Sequence, residues 1–456
     1  VKGRDVSRLA RLLLPLLLLA SLAACDTLSD WFNDPSTIFG GKDKKPKLKG
    51  ERIPVLLAEQ AIKPDPQIQD LDVTVPPQTR NPDWPQFGGN PTHSMQNLSL
   101  SEAIKQSWSS SIGSGRSSAN KHLAAPVTGD GRIYTMDTES VVRAFSDEGN
   151  RLWSTDLTPE GDVGHGDLGG GLAYADDAVY VTSNYGEVLA LEAKTGKILW
   201  RRSVSAPTRA APTVAGGRVF VVTGDNQLNA LNAKDGTVQW THSGLSEVTG
   251  LVGAASPAYD AGIVIVPYTS GEIYALRADN GRVLWSDTLA AIRRVDAISG
   301  LADIRGNPVI DHGQVIAVSH SGRMVAIDLR TGGRVWEDAI GGITQPWLAG
   351  NFIYVLSTEN QLICLTRDDG RIRWVTQLDR WEKPEKKEDL ILWTGPVLAG
   401  DKLLLAGSNA KLIAVSPAKG EIISTVDVGD PVSVPLIVAN GTLYLLTDAG
   451  DLKAYR

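Results

Sequence analysis

Val188-Leu-Ala-Leu-Glu-Ala-Lys-Thr-Gly-Lys-Ile-Leu-Trp200 decides how this chain folds. Apolar residues alternate on both sides of Lys-Thr-Gly, the pattern of two antiparallel strands joined by a turn whose glycine takes positive φ. The stretch recurs at 228–240, 273–285, 324–336 and 362–374, each time ending in tryptophan. In every copy a small residue (Ala190, Ala230, Ala275, Ala326, Cys364) stands six places before a glycine (Gly196, Gly236, Gly281, Gly332, Gly370), and the tryptophan follows that glycine by four. Residues 141–153 are a copy whose hairpin turn is one residue shorter, Ala144 standing five places before Gly149, and residues 412–424 keep Ala414 and Gly420 but end in Ser424.

A second recurring piece precedes each hairpin, as in Ala211-Pro212-Thr-Val-Ala-Gly-Gly-Arg-Val-Phe-Val-Val222; Pro126, Pro257, Pro308, Pro346, Pro396 and Pro435 hold the same place. Proline cannot donate to a ladder, so these first strands are edges. Two hairpins make a four-stranded antiparallel unit. The marks Trp108, Trp153, Trp200, Trp240, Trp285, Trp336 and Trp374, continued by Ser424, are 38 to 51 residues apart, the length of a propeller blade. Eight marks predict an all-β, eight-bladed β-propeller over residues 101–456, with the proline-led strands lining the axis. The final copy, Leu452-Lys-Ala-Tyr-Arg456, lacks a tryptophan strand, whereas Ser107-Trp108-Ser109 has one without its hairpin. Pairing of the N-terminal strand with the C-terminal blade therefore closes the ring and removes exposed edges. The regular spacing assigns the seven tryptophans to packing between blades rather than to stacking on a ligand.

The start of the chain reads differently. Lys2, Arg4, Arg8 and Arg11 precede the apolar run 12–20 and Leu22-Ala23-Ala24-Cys25, a lipoprotein signal peptide over 1–24 with Cys25 as the lipidated residue. Removing it takes four basic residues and one acidic residue, changing the formal charge from −7 to −10. That acidic balance argues against nucleic acid as a partner. Residues 26–100 hold ten of the 24 prolines with mixed charge, so 25–100 are expected to be the lipidated cysteine and a Pro-rich tether, with residues 53–57 as an apolar patch inside it. No later run of 18 apolar residues occurs, hence no second membrane segment is expected.

Chemistry is sparse. With Cys25 committed to lipid, Cys364 has no partner for a disulfide, and its apolar neighbours make it a small buried hydrophobe. The histidines 93, 122, 165, 242, 312 and 320 show no metal-ligand spacing. Gly161-Asp-Val-Gly-His-Gly-Asp-Leu-Gly-Gly-Gly171 is followed by the strand-like 178–182 rather than the helix a phosphate cradle requires. No catalytic residue, metal or cofactor is expected.

The Gly-x-x-x-Trp repeat, Gly-Lys-x-x-Trp at 196–200, together with Asn81-Pro-Asp-Trp84-Pro-Gln-Phe-Gly-Gly89 resembles the propeller of quinoprotein dehydrogenases. That likeness implies, as an alternative, a periplasmic dehydrogenase dependent on pyrroloquinoline quinone (PQQ), although the neighbouring cysteines of those enzymes are missing. Lipobox, tether and eight blades in one chain resemble more fully the BamB family of outer-membrane lipoproteins, over essentially everything after Cys25 except the long tether. The resemblance implies a non-enzymatic scaffold of the β-barrel assembly (Bam) complex, lipid-anchored at the periplasmic face of the outer membrane. Its implied partners are the POTRA domains of BamA, other Bam members and unfolded outer-membrane proteins. Asp26, next to the lipidated cysteine, departs from that address, because in enterobacteria this residue type there tends to hold a lipoprotein at the inner membrane.

Connections from each tryptophan strand to the next proline-led strand emerge on one face, and their lengths differ: ten positions from Trp336 to Pro346, 23 from Trp285 to Pro308, 22 from Trp374 to Pro396. Long loops on a rigid ring are where binding surfaces lie. The family's partner-binding stretches match Thr249-Gly-Leu251-Val252-Gly253 and Ala302-Asp303-Ile304-Arg305. Leu251 and Asp303 fit the family pattern, while Val252 replaces an arginine and Arg305 an acidic residue, which removes one charged contact and reverses another. Asp303 suits a turn equally well, and Leu251 a buried loop anchor. The mixed-charge stretch 381–389 reads as a solvated excursion.

Overall fold

The computed structural model describes residues 62–117, 123–159, 169–208, 210–246, 253–290 and 302–456. The signal segment, Cys25 and the tether up to residue 61 lie outside the described residues. Eight four-stranded antiparallel sheets surround one axis. Blade 1 is Val127–Gly129, Arg132–Met136, Val141–Ser146 and Arg151–Asp156. Blades 2 to 6 follow in the same order, ending at Ile372–Gln377, and blade 7 runs from Trp393–Ala399 to Ile422–Asp427. Blade 8 is Ile437–Ala439, Thr442–Leu446 and Asp451–Tyr455, completed on its outer edge by Gln106–Ser111. The ring closes as expected, with Trp108 opposite Ala454, and the proline-led strands lie innermost. Strands second and third from the axis are sandwiched between neighbouring blades, so Ala178–Thr182 is buried at every residue.

Each repeat residue now has a physical job. The small residue is the cross-strand partner of the tryptophan: Ala144 faces Trp153, Ala190 faces Trp200, and Cys364 faces Trp374. That gap lets the indole lie down toward the next blade, where its Nε1–H donates to a turn carbonyl: Trp153 to Ala193 at 2.9 Å, Trp200 to Ala233 at 3.0 Å, Trp285 to Leu329 at 2.8 Å and Trp374 to Pro417 at 3.0 Å. The ring face covers the next blade's turn glycine. A Cβ on Gly236 would stand 2.5 Å from Cε3 of Trp200, and one on Gly281 2.5 Å from Cε3 of Trp240. Glycine is thus required for its bareness as well as for its φ of +70° at Gly236. Burying an indole is worth about 4 to 6 kcal/mol before entropy, at roughly 25 cal/mol per Å².

Ser424 breaks the series for a structural reason. The tryptophan of each blade docks on the third turn of the next, and Trp108 of blade 8 docks on Gly149 of blade 1. Blade 7 faces blade 8, whose third and fourth strands come from opposite ends of the chain. There is no turn and no glycine for an indole to cover.

The expected tether is corrected for residues 62–100, which pack on the ring. Residues 81–98 wind around the axis and touch the inner strands of all eight blades in order. Asn81 bonds Val438 and Asn440 of blade 8; Trp84 and Pro85 bond Thr128 and Tyr174 of blades 1 and 2; Gln86 brackets Val214 of blade 3 through both backbone groups. Pro91 accepts from Tyr259 of blade 4, Thr92 from Ile310 of blade 5, Gln96 from Trp347 of blade 6, and Leu98 pairs with Leu398 and Gly400 of blade 7. Trp84 is buried and stacks on Trp347 with centroids 6.2 Å apart. The segment is a plug that fills one end of the axial channel. Prolines and lack of periodicity made it read as tether, yet they suit a path that must bend at every blade and find a new backbone partner each time.

His93 is the plug's titratable group. Its Nδ1–H donates to Pro308 O at 2.7 Å, and Nε2 is buried without a partner among the described residues. Burial lowers its pKa from 6.5 to about 4. The unfolded chain takes up this proton near pH 6.5 and the folded chain only near 4, so the contribution is whole above 6.5 and is lost as pH falls toward 4. Denaturant titrations at pH 7 and pH 5 are expected to show a loss of about 2 kcal/mol that His93→Gln does not show. The latch is checked by two glycines with the same φ of +70°: nothing stands within 4 Å of a Cβ on Gly217, whereas Gly236 meets Trp200. Gly236→Ala should destabilise by about 1 to 3 kcal/mol more than Gly217→Ala, which reports the φ cost alone; equal melting shifts would contradict the latch.

Candidate functional site

The face opposite the plug is built from the connections between blades and the turns between second and third strands, and backbone bonds stitch the two together. Gly224 donates to Pro207 at 2.8 Å, His320 to Asp303 at 2.9 Å, Thr358 to Gly341 at 2.9 Å, Ser408 to Leu392 at 2.9 Å and Asp448 to Pro431 at 2.8 Å. Each of these five connections is therefore tied to a neighbouring turn at a described point of its backbone.

Of the residues singled out in the sequence, Leu251 and Val252 lie outside the described residues. Gly253, which ends their stretch, lies against Arg305, with its Cβ position 3.4 Å from the arginine Nε. Gly253 and Arg305 are thus brought together. Asp303, expected at the surface, is buried at 1% exposure, and its carbonyl receives the His320 N–H. That bond ties the connection to the turn between the second and third strands of blade 5. Arg305 is only partly buried. Burial pulls its guanidinium below the usual arginine range; Asp303 opposes this and Arg116 adds to it. Arg116 belongs to the connection leaving blade 8, where it pairs with Asp448 at 3.0 Å. The two arginines, from the connections before blade 5 and after blade 8, are thus near enough for their charges to act on each other.

The 381–389 stretch forms a hairpin, Trp381–Lys383 with Glu388–Leu390, pinned by the Lys383–Asp389 ion pair at 2.6 Å. Leu390 and Leu392 remain about half exposed beside it. Among the described residues, no three His, Cys, Asp or Glu side chains are grouped to hold a metal. Cys364 is fully buried, and desolvation pushes its thiol far above the ordinary range. The functional element that sequence reasoning missed is the plug; its signal was Trp84 followed by Gly88-Gly89 among prolines, where a Cβ on Gly88 would fall 2.4 Å from Gln345 Oε1.

An eight-bladed ring latched by Gly-x-x-x-Trp turns defines a propeller of the PQQ-like repeat class. Solved structures of that class share the fold: BamB from Moraxella catarrhalis, with a TM-score of 0.61, 18% identity, and coverage of 78% of this chain and 98% of that one; and quinohemoprotein alcohol dehydrogenase from Comamonas testosteroni, with a TM-score of 0.63, 15% identity, and coverage of 86% and 82%. The sequence profile of the outer membrane protein assembly factor BamB matches residues 138–376. The BamB of Salmonella typhimurium is 30% identical over 353 residues, 76% of this chain and 87% of that protein. The chain belongs to the BamB family.

Cys364 offers a direct check on the blade interior. In a Cys25→Ser variant, a chromogenic disulfide reagent is expected to find no reactive thiol until the protein is unfolded in urea; rapid reaction of the native protein would place Cys364 outside the core.

Proposed function

We propose that this chain is a non-enzymatic, lipid-anchored scaffold of the Bam complex at the periplasmic face of the outer membrane. It docks the POTRA domains of BamA through the connection face around Arg305, works beside other Bam members, and assists unfolded barrel proteins on their way to insertion. Membership of the BamB family supports the assembly role. The observation that carries the docking surface is Arg305: a partly desolvated guanidinium in the connection before blade 5, beside Gly253 and under the attraction of Asp303. A carboxylate from a partner would add a charge pair there, and a pair of this kind governs off-rate and specificity. Anchoring would proceed through acylated Cys25, since more than one acyl chain is needed for lasting attachment.

The dehydrogenase reading draws on the same fold. A quinone site needs donors for a metal beside the cofactor, and the described residues supply no such group. Nothing among the described residues of the ring favours that chemistry over docking.

Capture from detergent-solubilised envelopes tests the proposal. The tagged protein should recover a POTRA-containing barrel, and Arg305→Glu should lower the recovery at least tenfold, equivalent to about 1.4 kcal/mol. Undiminished recovery with Arg305→Glu would remove this face from the interface.

A further inference from the structure

The third strand of each blade starts on the connection face, and in blades 2 and 4 its first residue is a glutamate. In blade 2, Glu187 lies opposite Ser203 and Leu189 opposite Arg201. Arg201 reaches back to the glutamate: its Nη1 donates to Glu187 Oε2 at 2.9 Å, and its Nη2 donates to Leu157 O, in the connection from blade 1, at 3.1 Å. Carboxylate, guanidinium and connection are locked together.

Blade 4 repeats the glutamate without the arginine. Glu272 lies opposite Thr288 and Tyr274 opposite Ser286, so an exposed serine holds the place of Arg201. Leu245 N–H donates to Glu272 Oε2 at 2.7 Å, Ser270 Oγ donates to the same oxygen at 2.9 Å, and Tyr274 OH donates to Oε1 at 2.9 Å. Three neutral donors thus fix the carboxylate, and among the described residues no ion pair neutralises it. Oε1 keeps a lone pair for one more donor. The Tyr274 ring lies beside it, backed by His242 with ring centroids 4.6 Å apart.

Glu272 also stands among the stretches assigned to docking. A Cβ on its neighbour Gly271 would fall 2.6 Å from Ala302 Cβ, at the head of the stretch that carries Asp303 and Arg305. Leu245, 64% exposed, opens the connection that runs on to Leu251 and Gly253.

We propose that Glu272 is a specificity-determining contact of this face and takes an arginine side chain of the docking partner, in the place that Arg201 fills for Glu187. This rests on the proposed docking through the connection face, and adds that the partner offers a cation here as well as an anion to Arg305. A carboxylate already held by its neighbours loses little freedom on pairing. Guanidinium suits the place better than ammonium: it is planar, stacks on a tyrosine ring, and keeps further nitrogens for a backbone carbonyl, as Arg201 does with Leu157. A partner with a carboxylate at this point is repelled, so the site separates partners of equal shape.

Two variants test the contact from opposite sides. Glu272→Gln removes the charge and keeps an acceptor oxygen for Leu245, whereas Ser286→Arg rebuilds the blade 2 pair inside blade 4. Each should lower recovery of the POTRA-containing barrel from solubilised envelopes about fivefold without lowering the melting temperature. Glu272→Arg should abolish recovery, and an arginine-to-glutamate change in the POTRA segment should restore it. Undiminished recovery with Glu272→Gln, or failure of every such charge exchange, would overturn the proposal. Loss of the Glu272→Gln effect when Arg293 and Arg294 are both changed to alanine would make the chain's own connection the occupant and overturn it too. Apart from any partner, N-acetyl-arginine amide added to the full chain carrying isotope-labelled histidine should shift the His242 ring resonance in the wild type and not in Glu272→Gln; no shift, or equal shifts, would count against the site. If the wild-type chain recovers no POTRA-containing barrel, the docking reading falls, and this titration alone decides whether Glu272 takes a guanidinium.

Discussion

The indole of one blade lying on the bare glycine of the next is the contact on which the rest of this structure depends. It needs three residues at once: a small cross-strand partner that opens the space, a glycine that tolerates both positive φ and an indole against its Cα, and a carbonyl that takes up the buried Nε1–H. None of the three makes sense alone, which is why they recur together with fixed spacing. A buried indole N–H left unpaired would forfeit much of what its burial contributes, so the turn geometry and the tryptophan are one device rather than two features.

That device also sets where the ring must be closed differently. Between blades 7 and 8 there is no turn to cover, and closure passes to the pairing of Gln106–Ser111 with Asp451–Tyr455 and to the plug. Residues 81–98 add a circumferential set of bonds at one end of the axis, leaving the other end to the connections. The two ends are therefore chemically distinct: one is filled by the chain itself, the other presents Arg305 and Arg116 on a stitched platform.

Blade count, strand order and ring closure were legible because glycine, tryptophan and proline mark positions where only those residues satisfy the backbone or the packing. Ser424 looked like a lapse in the repeat and proved to mark the seam. The plug was not legible: it follows neither a helical nor a strand period, since each of its residues meets a different blade, and proline with mixed charge upstream gives the same composition as a tether. The burial of Asp303 had no signal either: an aspartate in a long connection ordinarily faces water, but here it is enclosed and its carbonyl accepts from the His320 N–H. Arg305 was found through family likeness; its partial burial and its place beside Gly253 emerged only from the fold.

The account's central claim is that eight blades, seven indole latches and one two-ended blade form a single cooperative ring. Native-state hydrogen exchange on the middle strands of every blade tests it most directly. The account predicts that Thr442–Leu446 of blade 8 opens with the same free energy as Ala178–Thr182 of blade 2, because neither can open without the whole ring. Exchange in blade 8 at a distinctly lower free energy, with the other blades still protected, would show an open array stapled at its ends and contradict it.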